Sequence, residues 1–176
     1  GAHGAGEPRH DRPVAAELGS APVTRLVLIR HGESNVTLRR VIGGPLTCDG
    51  LSPLGLKQSE RLRDRWWATP EMSADLVLAS GYRRAIETAE VVAPALGGLP
   101  VVADPGFVEA EQTRLGAALG RIFAALPDDG RALAVGHSPT NEAAVAGLTG
   151  QTVEPLAKGA GVLLIEDGGR FTTRPL

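Results

Sequence analysis

Three short apolar runs, each ending at a glycine-containing turn, constrain this chain more than any other feature of its sequence. Residues 26–29 (LVLI) lead into Arg30-His31-Gly32-Glu33, residues 75–79 (DLVLA) into Ser80-Gly81, and residues 132–135 (ALAV) into Gly136-His137-Ser138-Pro139. Short apolar runs bounded by turn residues read as buried strands. Helical patterns lie between them. Ser52-Pro53 reads as the N-cap and first residue of a helix with Leu56, Ser59, Leu62 and Trp66 on one face. After residues 75–79, the positions Ala85, Thr88, Ala89, Val92 and Leu96 keep one small apolar face of a helix from about Arg83, which Gly97-Gly98 stops. Leu115, Leu119, Ile122 and Leu126 mark an amphipathic helix from about Gln112, and Thr140 and Asn141 open another through about Leu148. Val101 and Val102 make a short strand, while residues 162–165 and 171–174 flank an Asp167-Gly168-Gly169 turn as a hairpin. Residues 36–49, punctuated by Gly43, Gly44 and Pro45, read as an irregular loop. Strands alternating with helices predict an α/β fold: a mainly parallel sheet, helices on both faces and right-handed crossovers.

Composition sets the outer bounds. With 176 residues, 43% of them hydrophobic and 22% charged, the chain fits one domain with a real core. Residues 1–24, rich in Gly, Ala, Pro and charge, lack any pattern that would bury surface and read as a flexible tail, leaving 25–176 as the domain. His3 and His10 in that tail do not have the spacing of a zinc ligand set. A net charge of -2 gives no global attraction to nucleic acid or to an anionic membrane, so any anion site is local. The single cysteine, Cys48, excludes an internal disulfide, and no run has the roughly 18 to 20 apolar residues needed to span a bilayer. A cytoplasmic location is the expectation. Trp66 and Trp67 point about 100° apart on a helix, so at least one of them is read as covering core, and the pair is not read as a stacking platform.

Chemistry concentrates at the strand ends. In a parallel sheet these ends share one edge, and ligands bind in the crevice outside it. The edge here carries Arg30 and His31, then Arg84 one helical turn beyond the second run, then His137. Gly32 lets the chain bend and an anion approach the backbone. Arg83 and Arg84 occupy a helix N-terminus, where positive charge opposes the helix dipole. Either a Glu87 salt bridge or a bound anion would compensate, and His31 by itself reads equally well as a hydrogen-bonded structural residue. Two arginines and two histidines together have the composition of a phosphoryl-transfer site. Guanidinium forks match phosphate oxygens, and a neutral imidazole is a nucleophile that can carry the group covalently. Such chemistry needs neither metal nor cofactor.

Arg30-His31-Gly32-Glu33-Ser34, Ser80 with Arg84-Ala85 and Thr88-Ala89, and Gly136-His137-Ser138, in that order, resemble the histidine phosphatase superfamily, also called phosphoglycerate mutase-like. The resemblance runs from about Arg25 to the C-terminus. It implies a three-layer α/β/α sandwich, His31 as the nucleophile that becomes phosphohistidine, and Arg30, Arg84 and His137 around the phosphate. It also implies Glu109, after the short strand, as proton donor to the leaving group. Two departures stand out. Thr37 occupies the place of a common phosphate-binding Asn, so Asn35 is either its substitute or a turn residue. The acidic and aromatic stretch usual after the proton donor is missing, which brings Glu111 into competition with Glu109 and implies an open pocket. The function implied is a metal-independent phosphatase acting on phosphorylated small molecules or a phosphorylated protein side chain. The alternatives are a phosphoglycerate-type mutase, which would need a lid against water, and a non-catalytic phospho-ligand binding module. The sequence carries no signal for an oligomeric state.

Overall fold

Side chains on a strand point alternately to opposite faces, so an apolar run without interruption feeds two cores at once. The computed structural model, which describes residues 21–39, 49–68, 73–104 and 112–176, bears this out strand by strand. On β1 (Val23–Arg30), Leu26 and Leu28 enter one core while Val27 and Ile29 enter the other. β2 (Leu76–Ala79) splits Leu78 from Val77 and Ala79, and β4 (Arg131–Gly136) splits Ala132 and Ala134 from Leu133 and Val135. With β3 (Val101–Ala103), β5 (Gly161–Asp167) and β6 (Arg170–Pro175), these form one sheet in the order β3-β2-β4-β1-β5-β6. The four strands from β3 to β1 are mutually parallel, whereas β5 and β6 add an antiparallel hairpin. Gly168 and Gly169, with φ of 58° and 82°, make the two-residue turn, both positions needing the left-handed region.

Helices cover both faces, giving the three layers. α2 (Pro53–Trp67) and α3 (Arg83–Val92) pack Leu62, Trp66, Ala85, Ala89 and Val92 on one side. α4 (Gln112–Ala125) and α5 (Thr140–Thr149) pack Leu119, Ile122, Phe123, Ala144 and Val145 on the other. Ser52 caps α2 as expected, its Oγ accepting from Gly55 N–H at 3.1 Å. Trp66 is 2% exposed and Trp67 60%, so one covers core and the other water. No helix among the described residues is long and apolar enough to cross a membrane.

The boundaries differ from the sequence reading in three places. β1 starts at Val23, so Val23 and Thr24 belong to the sheet rather than to the tail. The loop expected over 36–49 opens with a single helical turn, α1 (Asn35–Leu38), too short to carry a hydrophobic period. Beyond Val92 the α-helical pattern tightens into a 3₁₀ turn, Ala93–Leu96, because Pro94 has no N–H to continue the ladder.

Gly32 earns its place by space. A Cβ there would lie 2.6 Å from the Gly55 carbonyl oxygen, and one on Gly55 would lie 2.0 Å from that of Glu33. What comes close to this backbone is therefore the first turn of α2, packed backbone to backbone.

Candidate active site

The β1–β4 ladder pairs Arg30 with Gly136, so the next residues, His31 and His137, leave the sheet side by side. Their ring centroids are 5.0 Å apart at 63°. Ser80, just past β2, bonds its N–H to the Val135 carbonyl at 3.0 Å and places Oγ 2.6 Å from His137 Nε2. Three neighbouring strands thus present their carboxyl ends at one place.

Hydrogen bonding sets the state of His31. Its Nδ1 is 2.5 Å from the Gly32 carbonyl oxygen, which can only accept, so Nδ1 carries the proton and Nε2 the lone pair. Arg84 Nε–H donates to that Nε2 at 3.2 Å. Burial is the largest cause lowering the His31 pKa from its ordinary 6.5 to about 4; the Gly32 bond opposes it, and the charges of Arg84, Arg30 and Lys158 reinforce it. His137 falls to about 3, again chiefly by burial, then by His31, Arg84 and Arg30. Both imidazoles are neutral at pH 7, so the positive charge felt in the pocket comes from Arg30 and Arg84, with Lys158 beside them.

Each arginine is placed by its own contacts. The Arg84 guanidinium is buried 4.7 Å over the Tyr82 ring, which also meets His137 edge-on at 4.8 Å. Arg30 Nη1 donates to the Leu156 carbonyl at 2.8 Å, and its Nε is buried with no hydrogen-bond partner among the described residues. Arg83, by contrast, is exposed and pairs with Glu87 at 2.9 Å. The Glu87 salt bridge expected for one of the two arginines is thus made by Arg83.

Other side chains fix the backbone around the pocket. Thr88 Oγ1 accepts from Gly32 N–H at 3.1 Å and donates to the Arg84 carbonyl at 2.7 Å, tying α3 to the end of β1. Asn141 Nδ2 donates to the Ile29 carbonyl at 2.9 Å, while its N–H bonds the His137 carbonyl at 2.7 Å. Glu33 Oε1 accepts from Ser52 Oγ at 2.9 Å, with Lys158 Nζ 4.0 Å from Oε2. Gly159 N–H bonds the Arg30 and His31 carbonyls at 3.0 and 3.3 Å.

Of the residues singled out by sequence, Arg30, His31, Arg84 and His137 come together. Asn35 does not join them: its Nδ2 donates to the Leu51 carbonyl at 3.2 Å. It lines a cavity of about 660 Å³ with Leu51, Ser52, Leu56, Glu87 and Glu90, whose walls include none of those four. Glu109 and Glu111 lie outside the described residues. Tyr82, Glu142 and Lys158 carry no sequence signal and Asn141 reads only as a helix opener, because one polar or aromatic residue at a helix end or turn leaves no periodic pattern. Among the described residues no group of three or more His, Cys, Asp or Glu could hold a metal ion.

The chain is similar to known proteins in part of its sequence and in its fold. Residues 26–112 match the model of the family described as Histidine phosphatase superfamily (branch 1). Phosphoglycerate mutase-like protein 4 of Arabidopsis thaliana is 34% identical over 79 residues, 45% of this chain; the match spans only 33% of that relative. Among solved structures, phosphoglycerate mutase from Bacillus anthracis superposes with a TM-score of 0.75 at 15% identity, covering 89% of this chain and 94% of that one. A putative alpha-ribazole-5'-P phosphatase from Escherichia coli gives 0.71 at 20% identity, covering 87% and 96%. At such identities the likeness is one of fold. Residues 26–112, which carry Arg30, His31 and Arg84 but not His137, thus match the histidine phosphatase superfamily, and the chain has the phosphoglycerate mutase-like fold.

Proposed function

We propose that this protein is a hydrolase: a metal-independent phosphatase that cleaves phosphomonoesters, or a phosphorylated protein side chain, through a phosphohistidine on His31. One observation carries the reading, namely an imidazole held neutral with its Nε2 lone pair beside the buried Arg84. An arriving phosphate takes the Arg84 N–H and leaves that lone pair free. Nε2 then attacks phosphorus as the ester P–O bond breaks, and the leaving oxygen takes its proton from Glu109, with Glu111 as the competing donor. Arg30, Arg84 and His137 hold the phosphoryl oxygens as charge spreads over them. The Nδ1–H bond to Gly32 supports the cationic phosphoimidazole. Water next attacks phosphorus, the carboxylate recovers a proton, and inorganic phosphate leaves with His31 restored. Asn35 is given a turn-shaping role, since its amide is engaged with Leu51.

The test is phosphate release from a panel of phosphorylated metabolites and phosphopeptides, with a chelator present, and with trapping of the phosphoenzyme. His31→Ala is expected to lower turnover by about 10⁴-fold or more and to abolish the trapped species. Phosphate release that survives in H31A sinks the mechanism. Isomerisation of a phosphoglycerate without net release would instead identify a mutase, and phosphate binding without turnover a binding module.

A further inference from the structure

A second set of contacts reaches the pocket from α5. Glu142 lies in the first turn of that helix, and its Oε1 accepts two hydrogen bonds, from Ser138 Oγ at 2.6 Å and from Leu156 N–H at 2.7 Å. The Leu156 carbonyl in turn accepts from Arg30 Nη1 at 2.8 Å. One residue is thus gripped at both its polar backbone groups, by a carboxylate on one side and a guanidinium on the other. Residues 151–157 belong to no helix or strand, so no ladder fixes the Leu156 backbone; its side chain is buried in the core. The carboxylate does what a ladder bond would do.

We propose that Glu142 is a positioning residue for Arg30: by fixing the Leu156 carbonyl it sets the plane of the guanidinium that binds phosphate. The inference rests on the place given to Arg30 in the phosphatase reading. A guanidinium grips phosphate as a planar fork, so its value depends on orientation as well as charge. Glu142 Oε2 is buried without a hydrogen-bond partner among the described residues, a state that costs free energy. An amide of the same shape would keep the Oε1 acceptor, so Glu142→Gln should retain the positioning and Glu142→Ala should lose it.

The affinity for inorganic phosphate, measured calorimetrically, reads this coupling without requiring turnover. E142A is expected to weaken binding about tenfold, E142Q by less than about threefold, and Ser138→Ala, which releases only the bond on the His137 side, by less than about twofold. In an Arg30→Ala background the cost of E142A should shrink to less than about twofold, since the two changes act on one interaction. The Arg30 Nε–H resonance in a proton–nitrogen spectrum, which needs no ligand, should shift or broaden in E142A and remain in place in E142Q. Equal E142A costs in both backgrounds overturn the proposal, as do wild-type affinity in folded E142A, an S138A loss as large as that of E142A, or an unmoved Arg30 resonance. If E142A does not fold, Glu142→Asp, which withdraws the carboxylate by one methylene, serves in the same comparisons. A wild-type protein that binds phosphate yet releases none from any ester overturns the phosphatase reading alone.

Discussion

Adjacent arginines at the start of α3 separate two uses of a cation. Arg83 is largely in water and shares its charge with Glu87 one turn away, an arrangement worth no more than about 0.5 kcal/mol. Arg84 is buried on Tyr82 with its Nε–H on His31. Arg83→Ala is therefore expected to leave kcat/KM within about twofold of wild type, and Arg84→Ala to lower it by about a hundred- to a thousandfold. Arg84→Lys keeps the charge and loses the fork, and should still cost about tenfold. Steady-state kinetics on the three variants checks this; equal losses at both positions would mean that net charge, not geometry, matters. In the sequence, spacing lets either arginine reach Glu87, and only the family resemblance assigns the phosphate to Arg84. Which one turns inward is decided by the path of α3 across the sheet, and that path is a tertiary fact.

At the scale of elements, the pocket depends on how closely α2 docks on the strand-end backbone. Alanine is a better helix former than glycine by about 1 kcal/mol, so propensity alone makes Gly55→Ala stabilising. The Cβ it adds would stand 2.0 Å from the Glu33 carbonyl oxygen, and backbone on both sides leaves nothing flexible to yield. G55A is expected to destabilise the fold by about 2 kcal/mol or more and to lower activity in the fraction that folds, as urea unfolding with parallel kinetics will register. A stabilised G55A would contradict the packing. Strands β1, β2 and β4 were legible because Leu26–Ile29 and their counterparts must feed two cores, and α2 because Ser52-Pro53 announces it. α1 was not, since four residues hold no period. Nor were Asn141 and Tyr82 as pocket residues: Asn141 reaches across to β1 and Tyr82 wedges between Arg84 and His137, contacts that exist only once α5 and α3 are laid on the sheet.

For the molecule as a whole, two buried neutral histidines make stability depend on pH. In the unfolded chain each takes a proton near its ordinary 6.5, whereas in the native state His31 does so at about 4 and His137 at about 3. Between those values the unfolded state binds more protons, so stability, level above pH 6.5, falls as pH drops towards 4 and 3. Calorimetric melting from pH 7.5 to 4 should show a falling midpoint, with a shallower fall in His137→Asn; a midpoint flat over that range would contradict neutral burial. The rung that joins Arg30 to Gly136 has a kinetic consequence as well. Everything from α1 to α4 lies in the chain between β1 and β4, and contacts that close so long a loop form slowly compared with helices. A refolding chain is therefore expected to regain its helical signal before its paired histidines, which makes recovered activity a clock for closure of the centre of the sheet.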